Sequence, residues 1–292
     1  MPELFKSGFV NIIGKPNAGK STLINLLVQQ PLCVVNPKAQ TTRHRIRAII
    51  NGENYQVVLS DTPGIMKPAN KLHERMLQSV EEVFDDSDVI LFVHDIRDTM
   101  LDDVWVDKIS KSTAVRILLL NKIDTIEQEQ LEKAIEQYKA MNYWNEIYPI
   151  SALHNFNTTH LIDSVVKHLP EGPRYFDDDQ LTDRNERFFI TEIIRERILA
   201  LYDKEIPYSS EVAIERYKEE KSIVKIYATI FVMRESQKAI MLGNKGHMIK
   251  NLGIESRKRI EEFIQQKVYL ELTVKVKDNW RNDDNSLKNF GY

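Results

Sequence analysis

Short apolar runs alternate with helix-like segments over the first 170 residues. Between the runs, apolar residues recur at helical spacing over about 69–85, 102–111, 127–140 and 158–169. Apolar runs separated by helices are typical of a parallel sheet that helices cover on both faces. We therefore predict an α/β domain with a doubly wound, mostly parallel sheet over roughly residues 5–170. The runs are Phe9–Ile13, Leu23–Val28, Tyr55–Leu59, Val89–Val93, Ile117–Leu120 and Glu146–Ile150.

The pattern changes after Leu169, where two prolines and the acidic stretch 176–180 indicate a solvated linker. A second set of elements follows in the order α-β-β-α-α-β, which predicts a smaller α+β domain. We place the first domain at 1–172, the linker at 173–182 and the second domain, with an unassigned tail, at 183–292. The predicted elements are Arg187–Tyr202, Glu211–Tyr217, Ser222–Val232, a helix from Ser236, His247–Gln266 and Val268–Lys277.

The composition excludes several classes of protein. The chain has 292 residues, 42% of them hydrophobic and 28% charged, and this length suits two domains with a core each. No run approaches the ~18 consecutive apolar residues of a membrane span. The single cysteine, Cys33, and an N-terminus without the regions of a signal peptide predict a reducing cytoplasm.

Charge differs between the two halves of the chain. Residues 1–180 carry 19 basic and 25 acidic side chains, whereas residues 181–292 carry 21 and 18. Within the second half, Arg234–Arg281 holds 11 basic residues against 6 acidic ones. This local excess favours a polyanionic partner for the second domain.

A phosphate-binding loop lies between the first strand and a helix over Thr22–Leu27. Residues 14–21 fit the pattern Gly, four residues, Gly-Lys-Ser, and the strand–loop–helix context is the one that this motif requires. The glycines let backbone N–H groups point at phosphates, Lys20 reaches the β and γ phosphates, and Ser21 ligates Mg²⁺. The assigned residues are Gly14, Lys15, Pro16, Asn17, Ala18, Gly19, Lys20, Ser21 and Thr22.

Three further motifs follow the ends of later strands, where open parallel sheets bind ligands. Asp61 can hold Mg²⁺ through water, and the Gly64 N–H can reach the γ-phosphate. Asp124 can accept both N–H groups of the guanine edge, which adenine does not offer, so the site selects GTP or GDP. The residues assigned here are Asp61, Thr62, Pro63, Gly64, Ile65, Asn121, Lys122, Ile123, Asp124, Ser151, Ala152 and Leu153. His94 and Asp95, at another strand end, are interpreted as structural.

A glycine-bounded turn in the second domain is the candidate nucleic-acid site. Lys245 lies at the tip of Gly243–Gly246, and the following helix offers N–H groups to phosphates. Ile240, Met241, Ile249 and Ile254 are candidates to line an apolar groove for bases, although helix-spaced apolar residues also form cores. The assigned residues are Gly243, Asn244, Lys245, Gly246, Ile249, Lys250, Arg257, Lys258 and Lys275.

The motifs resemble those of the Era family of GTPases over essentially the whole chain. Residues 38–46 are similar to the first switch of that family, and the second domain resembles a KH domain of type II, which clamps about four single-stranded nucleotides. The resemblance implies GTP hydrolysis to GDP and phosphate, binding to the 3′ end of 16S ribosomal RNA and a role in assembly of the 30S subunit. It further implies peripheral contact with the bacterial inner membrane, and we expect a monomer.

The resemblance also implies a catalytic set of Lys20, Thr42, Gly64 and Asn17. Thr42 would close over Mg²⁺ with Ser21 and Asp61, and Thr41 is the alternative. Ile65 stands where Ras-like GTPases carry a water-orienting glutamine, so slow intrinsic turnover is expected. Relatives with an asparagine at the position of Asn17 bind K⁺ there, which makes K⁺ activation a hypothesis.

Two other functions stay open from the sequence. One is an RNA chaperone in which the nucleotide domain acts only as a stability element, and the other is a membrane-attached cell-cycle regulator. RNA binding that does not respond to GTP analogues would favour the first. Full function after loss of both Lys245 and Lys250 would favour the second.

Overall fold

The computed structural model describes residues 4–36, 38, 40–99 and 103–292. The chain divides into two compact units. Unit 1 comprises Met1–Pro68 and Arg75–Asp183, and unit 2 comprises Ala69–Glu74 and Arg184–Tyr292. Ala39 of the first-switch motif and residue 102 of the predicted helix 102–111 lie outside the described residues.

Unit 1 is built on a six-stranded sheet within the described residues, in the order β2-β3-β1-β4-β5-β6. The pairs β1–β3, β1–β4, β4–β5 and β5–β6 are parallel, and β2 runs antiparallel to β3. The sheet is thus mostly parallel, as predicted. The strands are β1 (Lys6–Ile13), β2 (Ile46–Asn51), β3 (Tyr55–Asp61), β4 (Val89–Asp95), β5 (Val115–Asn121) and β6 (Glu146–Pro149).

Helices follow the central strands, and the core of unit 1 forms between them and the sheet. Every residue of β4 is buried, as expected for a strand inside a parallel sheet. The helices are α1 (Lys20–Val28), α2 (Lys71–Glu81), α3 (Val83–Asp86), α4 (Asp103–Lys111), α5 (Gln128–Ala140) and α6 (Leu161–His168). Residues 71–74 of α2 belong to unit 2, and the rest of that helix belongs to unit 1. The predicted helix 69–85 is therefore two helices, α2 and α3.

Two features of unit 1 differ from the sequence prediction. The edge strand β2 was not predicted, and the expected linker 173–182 is bonded to unit 1. Ile49 N–H donates to Leu181 O at 2.9 Å, and Thr182 Oγ1 donates to Arg47 O at 2.7 Å. The physical reason is that an edge strand presents unpaired backbone groups, which this segment satisfies.

Unit 2 contains a three-stranded sheet in the order β7-β8-β9, with β7–β8 antiparallel and β8–β9 parallel. Ile190 and Ile194 of α7, Leu252 and Ile260 of α10 and the inner face of the sheet form one buried cluster. The order α-β-β-α-α-β is as predicted, apart from one short helix, α8. The elements are α7 (Glu186–Leu201), α8 (Ile206–Ser209), β7 (Glu211–Glu220), β8 (Ile223–Val232), α9 (Glu235–Leu242), α10 (His247–Ile264) and β9 (Val268–Val276).

The tail, unassigned from sequence, folds onto unit 2. Trp280 is fully buried, and its indole N–H donates to Ser209 O at 3.0 Å. A short helix, α11 (Asp284–Asn289), is capped by Asp283, whose carboxylate accepts from Ser286 N–H at 2.8 Å. Burial of a large aromatic ring therefore attaches the tail to the second unit.

Candidate functional site

A cavity of about 740 Å³ lies in unit 1 at the ends of the parallel strands. Its lining includes residues of the loop after β1, the segment before β2 and the loops after β4, β5 and β6. Parallel strands bring their carboxyl ends to one edge, so motifs far apart in the chain meet here. The volume suits a nucleotide, and the lining combines apolar surface with a few polar and charged groups, as ligand sites usually do.

The loop between β1 and α1 requires glycine at two positions. A Cβ on Gly14 would lie 2.2 Å from Val93 O, and a Cβ on Gly19 would lie 2.2 Å from Asn121 Nδ2. Gly19 also has a φ of 103°, which other residues rarely adopt, and it immediately precedes α1. The loop therefore packs closely on β4 and β5 with the N-terminus of α1 at the cavity, which is an arrangement suited to an anion.

Lys20 is buried at the start of α1 and points back along the loop. Its ammonium donates to Lys15 O at 2.9 Å and to Gly14 O at 3.2 Å. Burial lowers the pKa of Lys20 to about 8, and the carboxylate of Asp61 opposes that shift. An anionic ligand beside the ammonium would stabilise its charged form, because an opposite charge favours ionisation.

Ser21, Thr42 and Asp61 converge in the same cavity. Asp61 Oδ2 accepts from Ser21 Oγ at 2.8 Å and from Thr42 Oγ1 at 3.0 Å, and the two hydroxyl oxygens lie 3.0 Å apart. Thr41 Oγ1 donates instead to Lys38 O at 2.7 Å. The structure thus places Thr42, rather than Thr41, with the other two candidate ligands.

The three side chains fit a magnesium ion by their chemistry. All of them present hard oxygen donors, which Mg²⁺ prefers, and Asp61 Oδ1 is buried without a hydrogen-bond partner in the described part of the chain. Burial raises the pKa of the Asp61 carboxyl, and Lys20, Ser21 and Thr42 act against that rise. A cation at this position would compensate a buried carboxylate.

The residues after β3 press against the phosphate loop. A Cβ on Gly64 would lie 2.6 Å from Pro16 N, so only glycine fits there. Ile65 N–H donates to Gly14 O at 3.0 Å, while the Ile65 side chain is buried in the core of unit 1. Thr62 Oγ1 donates to Ile12 O at 2.6 Å and so has a structural role. Ile65 has no group that could orient water.

Asn121 and Lys122, after β5, connect the loops around the cavity. Asn121 Nδ2 donates to Ala18 O at 2.8 Å, and its Oδ1 accepts from Ala152 N–H at 2.9 Å. Lys122 Nζ donates to Asn17 O at 2.7 Å. The amide of Asn121 therefore joins the phosphate loop to the loop after β6.

Asp124 and the loop after β6 form the end of the cavity that was expected to read the base. Asp124 lines the cavity, and its carboxylate lies 3.8 Å from His154 Nε2. Ser151 N–H donates to Phe156 O, and Ala152 N–H is taken by Asn121. Among the three assigned residues of this loop, Leu153 is therefore the one whose backbone N–H has no hydrogen-bond partner in the described part of the chain.

Asp95 lines the cavity, although its sequence context indicates only a structural role. It ends β4, and its carboxylate accepts from Lys122 Nζ at 2.6 Å and from Arg97 Nη2 at 2.7 Å. Burial alone would raise its pKa, but the donors on Arg97 and Lys122 hold the pKa of Asp95 below its ordinary value. The signal in the sequence was its position at the end of a parallel strand, like Asp61 and Asn121.

The glycine-bounded turn of unit 2 has the backbone that its sequence predicts. Gly243 and Gly246 have φ of 71° and 76°, and Lys245 between them is also left-handed at 48°. Gly246 is the residue before α10, so the turn leads directly into the N-terminus of that helix. The assigned Asn244, Lys245, Lys250, Arg257 and Lys258 are exposed.

Exposed isoleucines flank this turn on the two helices. Ile240 of α9 is 50% exposed and Ile254 of α10 is 47% exposed. Lys250, Ile254 and Lys258 follow each other at intervals of four and share one face of α10. This face combines a basic stripe with apolar surface, which suits contact with phosphates and bases together.

Two residues assigned to this site lie elsewhere. Met241 is fully buried in the core of unit 2, and its carbonyl accepts from Tyr202 Oη, so it does not line a groove. Lys275 is paired with Glu215 at 3.1 Å on the sheet face opposite the core, because side chains alternate along β9. Ile249 is partly buried against the core of unit 2.

Two family models match the chain, one for each part. Residues 9–122 match a model described as a 50S ribosome-binding GTPase, and residues 205–281 match a KH domain. These two matches agree with the fold, with the cavity in unit 1 and with the glycine-bounded turn in unit 2. The chain is a P-loop GTPase that carries a C-terminal KH domain.

Relatives extend over nearly the whole chain. The GTPase Era of Syntrophus aciditrophicus is 43% identical over 99% of this chain and 96% of its own length, and that of Leuconostoc citreum is 45% identical over 99% and 97%. The chain belongs to the family of the GTPase Era.

Solved structures of Era are similar throughout. One is described as Era in complex with MgGDPNP and nucleotides 1506–1542 of 16S ribosomal RNA. It has a TM-score of 0.94 and 35% identity and covers 99% of each chain. An Aquifex aeolicus Era variant bound to GDP·AlF4⁻ matches with the same TM-score, identity and coverage. Among the described residues, no helix is long and apolar enough to cross a membrane.

Proposed function

We propose that unit 1 binds GTP with Mg²⁺ and hydrolyses it to GDP and phosphate. The observation that carries this proposal is the convergence of Ser21, Thr42 and Asp61 beside Lys20, in the cavity that Asp124 also lines. The same cavity thus holds groups suited to phosphates at one end and a carboxylate suited to guanine at the other. The solved Era structures with MgGDPNP and with GDP·AlF4⁻ support it.

Each residue has a separate task in this proposal. Lys20 exchanges its carbonyl partners for the β and γ phosphates, and Gly64 offers its N–H to the γ-phosphate. Ser21, Thr42 and Asp61 would hold Mg²⁺, which when bound neutralises charge that develops on the phosphate oxygens. Asp124 accepts from the guanine edge, and the Leu153 N–H donates to the guanine oxygen. Asn121 keeps the loops together.

Hydrolysis without a partner should be slow, because the Ile65 side chain is in the core and no glutamine stands in its place. Asn17, at φ 62° in the phosphate loop, is the residue that we propose to bind K⁺. Turnover should therefore be faster in K⁺ than in Na⁺ at equal ionic strength. Equal turnover in the two salts would remove this role of Asn17.

We also propose that the KH domain binds the 3′ region of 16S ribosomal RNA and that the protein acts in assembly of the 30S subunit. The exposed basic face of α10 after the glycine-bounded turn supports RNA binding. The relative with an RNA-bound structure, described with nucleotides 1506–1542 of 16S RNA, supports the choice of RNA.

The test is binding of a short single-stranded RNA from the 3′ end of 16S RNA, titrated in GDP and in a non-hydrolysable GTP analogue. Tighter binding with the analogue is expected for a GTP-controlled RNA switch. Equal affinity in both nucleotides would favour the RNA chaperone, in which the nucleotide only stabilises the protein. Absence of binding in either would contradict the assignment to RNA.

We propose a cytoplasmic monomer with GTPase residues up to 172 and KH residues from 183. The basic excess in Arg234–Arg281 supports, besides RNA, a peripheral contact with an anionic membrane surface. Co-sedimentation with vesicles of anionic and of neutral lipid tests this contact. Equal recovery with both vesicles would contradict it.

A further inference from the structure

Asp95 is a buried carboxylate in the nucleotide cavity with no assigned part in binding. Its side chain is only 6% exposed, and its Oδ2 lies 2.6 Å from Lys122 Nζ. The same ammonium lies 2.7 Å from the carbonyl of Asn17 in the phosphate loop. Lys122 thus reaches from the end of β5 to the phosphate loop and is held there by one charged and one neutral acceptor.

Arg97 fixes the orientation of this carboxylate. Asp95 Oδ1 accepts from the Arg97 backbone N–H at 3.1 Å and from Nε at 2.9 Å, while Oδ2 accepts from Nη2 at 2.7 Å. A planar guanidinium that bonds both oxygens sets the plane of the carboxylate as well as its position. The lone pair that faces Lys122 therefore has a defined direction.

Lys122 needs such a partner to remain in the cavity. Its backbone is left-handed, with φ at 66°. Its side chain is only 27% exposed, so the ammonium has lost much of its hydration. The carbonyl of Asn17 alone carries no charge to balance it. Without a carboxylate, the flexible four-carbon stem would turn towards solvent, where an ammonium is better hydrated.

We propose that Asp95 is a positioning residue for nucleotide binding: it holds Lys122 against the phosphate loop, so that the stem of Lys122 forms a wall of the base subsite. The inference rests on the proposed GTP function of this cavity. Asp95, at the end of β4, would thus contribute to nucleotide binding through Lys122, which follows β5. Asp95 itself does not touch the nucleotide.

The experiment is a double-mutant cycle on the full chain, with binding of fluorescently labelled GDP as the measurement. Asp95→Asn removes the charge, and Lys122→Met keeps the stem but removes the ammonium. Each single variant should weaken GDP binding at least tenfold. If Asp95 acts through Lys122, Asp95→Asn should change the affinity less than twofold in the Lys122→Met background. A residue with only a structural role would weaken both backgrounds equally.

Asp107→Asn is the matched control, because Asp107 is an exposed acid paired with Lys111 on α4. It should bind GDP like the unsubstituted protein. If Asp95→Asn does not fold, as judged by its melting transition, Asp95→Ser takes its place in the cycle.

The outcomes separate this inference from the proposed function. Failure of the unsubstituted protein to bind GDP would contradict the function itself. Normal binding by the unsubstituted protein, with an Asp95 variant within twofold of it, would overturn only the role of Asp95. Independent, multiplicative losses from the two substitutions would also overturn it.

Discussion

At the scale of single residues, side chains in the loops around the cavity determine what it can bind. Asp124 lines the part of the cavity that we propose for the base, and Thr42 brings a hydroxyl to Ser21 and Asp61. Neither residue contributes to a core. Their substitution should therefore change nucleotide chemistry more than stability, which makes both suitable for direct tests.

Asp124→Asn should change the base preference of the nucleotide site from guanine to xanthine. The carboxylate accepts from the two N–H groups of guanine, whereas an amide can donate to the oxygen that xanthine carries instead. We expect a loss of GDP affinity of about 100-fold or more, because unmatched polar groups remain in the site. Competition between GDP and xanthosine diphosphate measures the exchange, and Asp107→Asn is the charge-matched control. Loss of both affinities alike would contradict base reading by Asp124.

Thr42→Ala should lower GTP hydrolysis at least tenfold, and Thr41→Ala should not. The two threonines are neighbours of equal chemistry, but only Thr42 bonds Asp61, while Thr41 bonds the Lys38 carbonyl. Single-turnover hydrolysis at saturating GTP and Mg²⁺ is the measurement. An equal effect of the two substitutions would be against Thr42 as the candidate ligand.

At the scale of elements, polar contacts hold the strands and helices that carry the sites. Glu146 on β6 bonds His168 and Ser164 of α6, at 2.5 and 2.7 Å, and also Tyr148. These contacts tie β6 to α6 on either side of the loop that contains Leu153. In unit 2, the turn at Gly243–Gly246 similarly connects α9 to α10 at the candidate RNA surface.

Glu146→Gln should destabilise unit 1 in a pH-dependent way. Burial alone would raise the pKa of Glu146, but donors on Tyr148, Ser164 and His168 lower it from 4.5 to about 2. A lowered carboxyl pKa stabilises the fold above pH 4.5, and this contribution disappears as pH falls towards 2. We expect a loss of about 1–3 kcal/mol in the free energy of unfolding at pH 7. Urea denaturation at pH 7 and pH 3 measures it.

The exposed Glu129 on α5 provides the control for this prediction, since among the residues that the structure describes it pairs only with Lys133, one turn away. Glu129→Gln should cost no more than about 0.5 kcal/mol. A Glu146→Gln penalty that stays constant between pH 7 and pH 3 would contradict the ionic origin of the stabilisation.

Replacing Lys245 and Lys250 with alanine should weaken RNA binding and reduce its salt dependence. For a single-stranded RNA, each lost phosphate contact reduces the magnitude of the slope of log affinity against log salt concentration by about 0.7. Fluorescence titration of the 16S 3′ RNA at several salt concentrations is the measurement. Arg259 and Lys267, near the other end of α10, supply a double alanine control with the same change in charge. Equal slopes for the two double variants would contradict phosphate contacts at the turn.

At the scale of the whole molecule, one chain carries a nucleotide domain and an RNA domain. If RNA affinity depends on the nucleotide, linkage requires the RNA to change nucleotide affinity by the same factor. The RNA affinity measured with the GTP analogue, divided by that measured with GDP, gives one factor. Saturating RNA should raise the affinity for the analogue relative to that for GDP by the same factor. Titrations in both directions measure the two ratios. Unequal factors would show that the measured states are not at equilibrium or that RNA binds a second site.

Much of this architecture followed from local pattern. The parallel strands were predicted because buried strands form continuous apolar runs, as at Val89–Val93. The edge strand β2 was missed because it lies at the end of the switch sequence and depends on pairing with β3. Segment 173–182 resembles a linker in sequence for a similar reason: its bonds go to β2 and β3, which are more than a hundred residues away in the chain.

The sequence by itself determined the order of elements and the identity of the chemical groups, because spacing of apolar residues and short motifs are local properties. The tertiary structure alone decided which groups meet. It placed Thr42 instead of Thr41 beside Asp61, buried Met241, turned Lys275 to the outer face of its sheet and joined Asp95 to Lys122. These outcomes depend on sheet register and on packing between distant segments, which no local pattern specifies.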